Sequence, residues 1–142
     1  MGQRLMNKEN IIQLYKSFDR YNNLENLSLH LFLHPCFHLK QYKIFEDENG
    51  IYGFTNWAFL DKKSQLEYLK TGIIKNWNCG KEMVHVDIVT KKNVNKIYKW
   101  CRKNLAEKLG LGKTTYWLRL NKDNSIRLTV EKTTKEDWLW VQ

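Results

Sequence analysis

The sequence lacks most of the features that mark secreted and membrane-spanning proteins. Its 142 residues include only three cysteines, widely spaced and without a C-x-x-C pair, which excludes the disulfide framework of small secreted domains. The longest apolar stretch without Asp, Glu, Lys or Arg, Leu27–Leu33, is far shorter than the roughly 18 residues of a membrane-spanning helix. The first ten residues are polar, unlike an export signal. These absences predict a soluble, cytoplasmic protein without a membrane span.

Acidic residues are scarce as well. The chain has 15 Asp and Glu against 24 Lys and Arg, a formal net charge of +9, and residues 61–113 alone account for +8 of it. A basic middle third attracts acidic partners, so nucleic acid, an acidic protein and an anionic membrane surface all fit the charge. Linkers and low-complexity segments are absent, and 13% of the residues are aromatic. We therefore expect one ordered domain over residues 1–142.

Two helices are predicted before the first strand. Apolar residues spaced by three and four between positions 11 and 18 indicate an amphipathic helix, which Asn7 would cap. A second, more apolar segment covers Leu24–Leu33. Pro35 disfavours helical geometry at the residue before it, so we expect this helix to end at His34.

The rest of the chain alternates between strand and helix patterns. Asn49-Gly50 separates two strand-like runs and favours a tight turn, so these runs should form an antiparallel hairpin. Asp61 and Gly72 have the residue types that cap the start and the end of a helix. The predicted elements are strands at 41–46 and 51–60, a helix at 61–69, a buried strand at 83–89, a helix at Val94–Leu109, and a hairpin at 116–120 and 126–131.

A metal site is one candidate that the spacing does not support. His30, His34, Cys36 and His38 are close in sequence, but Pro35 is expected to break the helix that would bring them to one face. No second cluster supplies further ligands. We therefore predict no bound metal.

A run of basic residues on the long helix is a candidate surface for an acidic partner. Two interpretations fit this run: it grips phosphates or an acidic protein, or it is the solvated face of a helix. No helix-turn-helix, zinc-finger or RNA-binding signature accompanies it. The candidate residues are Lys91, Lys92, Lys96, Lys99, Arg102 and Lys103.

Asp87 is the candidate functional carboxylate. It lies inside an apolar strand, where an unpaired carboxylate is unfavourable and needs a partner. Buried carboxylates of this kind are enriched at functional sites, although structural ion pairs also bury them. His85 lies two residues earlier, so both side chains are expected on one face of the sheet.

A series of short segments along the chain carries a family resemblance. In order, the segments are Pro35, Gln41-Tyr42, Asn56–Leu60, Leu66–Leu69, Asn76–Gly80, Val84–Asp87, Tyr98–Lys103 and Leu118–Leu120. This series, from about Leu24 to Lys132, resembles the RTX toxin-activating lysine acyltransferases. The shared features include a proline, a strand that begins Gln-Tyr, a strand that ends Ser-Trp-Ala-x-Leu in the family, and the strand that bears the family's catalytic aspartate.

This resemblance implies both a fold and an activity. The fold would be a single GNAT-like α+β domain, with helices packed on a mixed, mostly antiparallel central sheet. The activity would be transfer of a fatty acyl group from acyl carrier protein, an acidic donor, to the ε-amine of an internal lysine, without a permanently bound cofactor. Relatives are often dimers, so a homodimer is a further expectation. The reaction needs a base, because only the neutral amine attacks a thioester.

The chain departs from the family at the catalytic histidine. The family's spacing places this histidine near Asp19–Tyr21, where the sequence has none. The family's Ala-Pro-Phe-Gly after the aspartate is replaced by Val89–Lys92. Asp87 itself carries over. The resemblance therefore leads us to expect that Asp87 orients His34 or His30 as the base.

Two further functions remain open from the sequence. A degenerate member would keep the fold and bind a partner without catalysis, for example as a phage-encoded inhibitor of a host or defence protein. A nucleic-acid-binding module would use the basic segment and exposed aromatics such as Trp77. A histidine in hydrogen-bond reach of Asp87 would favour the enzyme, and an Asp87 held by backbone or arginine would favour a binding protein.

Overall fold

The structure, a computed structural model, describes residues 2–140, with side chains from residue 7 onward. Met1, Val141 and Gln142, which belong to the predicted domain, lie outside the described residues. The elements in order are α1 (Gly2–Lys16), α2 (Asn26–Leu39), β1 (Tyr42–Asp47), β2 (Gly50–Leu60), α3 (Lys62–Thr71), β3 (Glu82–Thr90), α4 (Val94–Leu109), β4 (Thr114–Leu120), β5 (Ile126–Thr133) and a 3₁₀ turn (Glu136–Trp140). This confirms the predicted α+β class, and the architecture agrees with a GNAT-like fold.

The first helix begins earlier than predicted. The structure starts α1 at Gly2, so the prediction that Asn7 caps it is wrong. The reason is that Arg4, Leu5 and Met6 all favour helix, whereas an asparagine in a helix interior costs only a fraction of a kcal/mol, roughly 0.7 at most. The predicted apolar face is correct, since Ile11 is fully buried.

The second helix continues through its proline, so the predicted end at His34 is wrong. Pro35 removes the hydrogen bond that its N–H would have donated to the carbonyl of Leu31. Leu31 is 66% exposed, so water can reach that part of the helix. Leu33 and Phe37 are buried on either side of the proline and pack into the core. Packing therefore outweighs the local preference to stop.

The first three strands form one antiparallel sheet in the order β1-β2-β3. The predicted hairpin is confirmed: Asp47 pairs with Gly50, and the Asp47 carboxylate accepts a hydrogen bond from the N–H of Asn49 at 2.9 Å. Gly50 has a φ of 107°, a conformation that favours glycine. The central strand of this sheet is β2. The nearly continuous apolar run at 83–89 is typical of a central strand, but β3 lies at the edge of the sheet, so that interpretation is wrong.

A β-bulge in β3 determines which face of the sheet each polar residue occupies. Asp87 pairs with Asn56 and His85 pairs with Trp57, which leaves Val86 as an extra residue. Adjacent residues of β2 point to opposite faces, so His85 and Asp87 also lie on opposite faces. The prediction that they share a face is wrong, because the bulge interrupts the period-two alternation.

The second sheet, β4 and β5, stands beside β3 without forming a ladder with it. Near the starts of the two strands the hydroxyl of Thr115 donates a hydrogen bond to the carbonyl of Met83 at 2.7 Å. Further along, around Asp87 and Arg119, a cleft separates them. The two sheets thus meet at one end and part at the other.

The remaining helices confirm the predicted caps. The Asp61 carboxylate accepts a hydrogen bond from the N–H of Ser64 at 2.7 Å at the start of α3, and Gly72 ends this helix with a φ of 73°. The bounds of α4 are those predicted, and Gly110 follows it. Trp138 in the 3₁₀ turn is buried against the core.

Two hydrophobic clusters cover the two faces of the first sheet. One contains residues of α1 and α2, and the other contains residues of α4 and the 3₁₀ turn. Asp87 therefore lies on the α1 side, and His85 lies on the α4 side. Within residues 2–140, no helix has the length and apolar character needed to cross a membrane.

Candidate active site around Asp87

The backbone and side chain of Asp87 are held by three neighbours. Its carboxylate Oδ2 accepts a hydrogen bond from the hydroxyl of Tyr15 at 2.7 Å. Its backbone N–H donates to Oδ1 of Asn56 at 2.9 Å, and its carbonyl accepts from the hydroxyl of Thr55 at 2.7 Å. Within the described part of the chain, Oδ1 of Asp87 makes no hydrogen bond. The protein thus holds Oδ2 in place, while Oδ1 can accept a hydrogen bond or a proton from a ligand.

The surroundings raise the pKa of Asp87 above its usual value. Burial is the main cause, and the hydrogen bond from Tyr15 and the charge of Arg20 offset it in part. Burial, together with the nearby Asp87 carboxylate, raises the pKa of Tyr15 well above its usual range, so its hydroxyl stays protonated and donates. The same two causes raise the pKa of Tyr21 to about 12. Asp87 is therefore a carboxylate whose ionised form is disfavoured by burial and which lies beside two protonated tyrosines.

An apolar cavity of about 320 Å³ opens beside this carboxylate. Its volume lies within the range of small-molecule sites, roughly 300–1,000 Å³. Apart from Asp87, its walls consist mainly of aliphatic and aromatic side chains from both sheets and from the first three helices. They include Tyr15, Tyr21, Leu24, Leu29, Phe32, Tyr68, Val86, Leu118 and Leu120.

A second, basic cleft of about 250 Å³ meets the cavity at Asp87. The two spaces share Tyr21, Val86, Asp87, Leu118 and Leu120 as walls. The cleft adds the side chains of Arg20, Arg119 and Arg127. The Asp87 carboxylate thus lies where the apolar cavity and the basic cleft meet.

His85 is a structural residue on the other face of the sheet. The Thr55 hydroxyl uses its proton on the carbonyl of Asp87, so it accepts a hydrogen bond from Nδ1–H of His85 at 2.9 Å. The Nε2 of His85 then accepts from the amide of Asn104 at 3.2 Å. Burial lowers the pKa of His85 to about 3, so the ring is neutral. This chain of contacts fixes the backbone of Asp87 from behind.

The two histidines predicted as bases lie elsewhere on α2. His30 is half-buried, with its Nε2 at 3.1 Å from a carboxylate oxygen of Glu9. His34 is exposed and stacks on the ring of His38, with centroids 5.8 Å apart. Neither of the two lines a cavity that includes Asp87. A catalytic role for either histidine stays a prediction, and it would require α2 to move.

The predicted partner-binding residues occupy the α4 side of the molecule. Lys91, Lys96 and Lys99 are exposed, while Arg102 and Lys103 are half-buried. Lys92 pairs with the carboxylate of Asp47 and lies 5.2 Å from the centroid of the Tyr52 ring. None of these cations lines the cavity or the cleft that include Asp87, and their role in binding stays a prediction.

Metal and thiol chemistry have little support at this site. Among the side chains of residues 7–140, no three His, Cys, Asp or Glu residues are grouped closely enough to hold a metal ion. Cys36 lies close to the site, since its sulfur is 3.7 Å from the amide nitrogen of Asn56. Burial raises the pKa of Cys36 to about 12, so it is a neutral thiol and a poor nucleophile.

The structure also reveals site residues that sequence reasoning missed. Tyr15 looked like a core residue because its position fits the apolar face of α1, but its hydroxyl supports Asp87. Arg20 and Tyr21 do lie at the site, where the resemblance places the family's histidine. Arg119 and Arg127 reach it from the second sheet, and no local pattern marks them.

The fold and the site together define an α+β protein with a buried carboxylate between an apolar cavity and a basic cleft. A family model described as the RTX toxin acyltransferase family (HlyC) matches residues 9–134, which is most of the chain. The chain belongs to the RTX toxin acyltransferase family. The resemblance found from residues 24 to 132 is thus confirmed and extended toward the N-terminus. A search of curated proteins gave no match.

Proposed function

We propose that this protein moves a fatty acyl group from acyl carrier protein to the ε-amine of a lysine in another protein, with Asp87 as the base. Membership of the family supports acyltransferase activity in general. The donor, the acceptor and the role of Asp87 are the specific proposal. The observation that carries it is the position of the Asp87 carboxylate, at the meeting point of an apolar cavity and a basic cleft.

Asp87 takes the place of a histidine base in this proposal. The ε-ammonium group gives a proton to the carboxylate, and the neutral nitrogen then attacks the thioester carbonyl. The C–N bond forms, the C–S bond breaks, and a thiolate leaves. The nitrogen loses two protons in all: Asp87 takes the first and releases it to water, and the second goes to the departing thiolate. The raised pKa of Asp87 makes its carboxylate a stronger base than an ordinary aspartate.

The apolar cavity would hold the acyl chain. Leu29, Val86 and Leu118 contribute aliphatic walls beside the carboxylate. Burying each methylene of a fatty chain contributes about 0.8 kcal/mol, so a chain of several carbons gains most of its binding energy here. The thioester at its end would then lie next to Asp87.

Tyr21 is the proposed donor to the oxyanion that forms during attack. It lines both the cavity and the cleft, and its ring centroid is 5.0 Å from that of Tyr15. A pKa of about 12 keeps its hydroxyl protonated at neutral pH. Protonated donors aimed at developing charge are an effective means of lowering an acyl-transfer barrier.

An acyl-transfer assay with purified components tests this proposal. Acyl carrier protein loaded with a long-chain acyl group is mixed with the enzyme and a lysine-containing acceptor protein, and the acceptor is followed by intact mass. Asp87→Asn should abolish the added mass, whereas His34→Asn and His30→Asn should retain it. Loss of transfer in either histidine variant, with the fold intact, would move the base from Asp87 to that histidine.

A binding function without catalysis is the second candidate. The observation in its favour is that, within residues 7–140, no histidine contacts the Asp87 carboxylate. A binding protein of this kind would show no transfer under conditions in which an active family member transfers the same acyl group. Its surface for an acidic partner would be the basic side of α4, which includes Lys96 and Lys103.

A further inference from the structure

The basic cleft beside Asp87 has more positive charges than are required to balance the Asp87 carboxylate. Arg20, Arg119 and Arg127 all line it, and Asp87 is the single acidic residue among its described walls. The excess of two positive charges faces an opening through which a substrate reaches the carboxylate. A lysine ammonium entering alone would be repelled, whereas an anionic group would be attracted.

Two of the three guanidinium groups are held in place by the protein. Nη1 of Arg119 donates to the hydroxyl of Tyr98 at 2.9 Å, and the group lies 5.7 Å from the centroid of the same ring. Nη2 of Arg20 donates to the carbonyl of Asn121 at 3.2 Å. A guanidinium group has five N–H donors, so each retains several for a ligand. A guanidinium group held in place in this way can donate two parallel hydrogen bonds to the two oxygens of a carboxylate.

The third arginine completes the set of cationic donors. Arg127 is an extra residue in β5, because Arg119 pairs with Leu128 while Leu120 pairs with Ile126. Trp117 also lines the cleft, but its indole N–H is enclosed in the hydrophobic cluster on the α4 side, so the charged donors of the cleft are the three arginines.

We infer that this cleft selects acceptor lysines that have acidic neighbours in their own chain, by binding a flanking Asp or Glu carboxylate through the arginines. This inference rests on the proposed function and names its acceptor. The cleft adjoins Asp87 directly, and residues of an extended peptide advance by about 3.3 Å each, so the group that reaches the arginines belongs to a residue close to the lysine. The phosphate of a carrier's prosthetic arm is separated from the thioester by the whole arm.

The acidic neighbour also serves the chemistry. It offsets the repulsion between the arginines and the incoming ammonium group, which lets the lysine enter. Once the lysine is bound, nearby guanidinium groups favour its neutral form, which is the form that attacks the thioester. The same cations would thus contribute to both selection and reactivity.

The test compares two acceptor peptides that differ only beside the lysine, one with Glu on both sides and one with Gln. Binding is measured by fluorescence polarisation of labelled peptide, without donor, and transfer is measured by mass. We expect the wild-type protein to bind the Glu peptide about tenfold more tightly, as two charge-assisted contacts would give. Arg119→Gln and Arg127→Gln should remove this preference, while Lys75→Gln, an exposed cation outside the cleft, should keep it.

Three results would overturn the inference. Equal binding of the two peptides by the wild-type protein is the first, and a Glu preference that survives in both arginine variants is the second. The third is competition by 4′-phosphopantetheine that depends on Arg119 and Arg127, which would assign the cleft to the donor. If the Glu preference holds and depends on the arginines but no peptide is acylated, the cleft still selects acidic peptides, and the proposed acyl transfer is what fails.

Discussion

The hydrogen bond from Tyr15 to Asp87 offers a quantitative test of how the carboxylate is tuned. Tyr15→Phe removes the hydroxyl that donates to Oδ2 at 2.7 Å and leaves the ring in the core. A hydrogen bond to a charged group contributes about 1.5–3 kcal/mol. Because one pKa unit corresponds to about 1.4 kcal/mol, the pKa of Asp87 should rise by a further one to two units, roughly.

The direction of the effect follows from the state that the hydrogen bond stabilises. Tyr15 donates to the ionised carboxylate and lowers its pKa, so removing the donor raises it. The base acts only when ionised, so the acidic limb of the kcat/KM profile should move to higher pH by about one to two units. The assay is the rate of acyl transfer between pH 5 and 9, together with a direct ¹³C NMR titration of the carboxyl group.

Tyr68→Phe is the matched control for this experiment. Tyr68 is a buried tyrosine that lines the same cavity, and burial is the main cause of its own raised pKa. Its hydroxyl is not a hydrogen-bond partner of Asp87. The limb should therefore stay in place in this variant. An unchanged limb in Tyr15→Phe, or equal shifts in both variants, would refute the reasoning.

Three other perturbations have defined outcomes. His85 has a pKa of about 3 in the folded protein and about 6.5 in the unfolded chain. The free energy of unfolding should therefore be highest above pH 6.5 and fall by at most about 5 kcal/mol as the pH drops toward 3, because the unfolded chain binds the proton first. In urea titrations at several pH values, His85→Gln should lack this part of the pH dependence. Asp87→Asn should raise the free energy of unfolding at pH 7, because the raised pKa of Asp87 means that ionisation opposes folding; a lower melting temperature in this variant would contradict this. Gly80→Ala should destabilise by roughly 2 kcal/mol or more, because its Cβ would lie 2.3 Å from the backbone nitrogen of Asp61; an unchanged urea midpoint would contradict this.

Much of the fold follows from local signals that agree with the packing. The Asn49-Gly50 turn, the Asp61 cap and the bounds of Val94–Leu109 were all predicted from residue type and spacing. Each depends on contacts within a few residues, so sequence alone can specify them. The family resemblance added the GNAT-like arrangement, which hydrophobic spacing by itself does not determine.

The errors arise where tertiary packing or register outweighs local preference. Pro35 favours a helix end, but burial of Leu33 and Phe37 keeps the helix continuous. The bulge at Val86 is invisible to a period-two pattern, and it moved His85 to the opposite face from Asp87. One extra residue in a strand was enough to make the predicted placement of His85 and Asp87 on a shared face wrong.

The candidate site could be predicted only in part for the same reason. Asp87 stands out in the sequence because a charge inside an apolar strand needs an explanation. Its partner Tyr15 lies 72 residues away along the chain, and its hydroxyl has no signature in an amphipathic helix. Arg119 and Arg127 belong to a hairpin of the second sheet and reach the site only because the two sheets part there. Residues brought together from separate elements require the structure.

Intact-mass analysis of an acceptor protein tests the central claim most directly. The enzyme is incubated with acyl carrier protein loaded with a long-chain acyl group and with the acceptor, in the wild-type form and as Asp87→Asn. We predict that the wild-type protein adds one or more acyl masses at lysine, and that the variant, folded and with a higher melting temperature, loses at least about a hundredfold in rate. Equal transfer by the two proteins, or none by the wild-type protein where an active family member succeeds, would contradict the account.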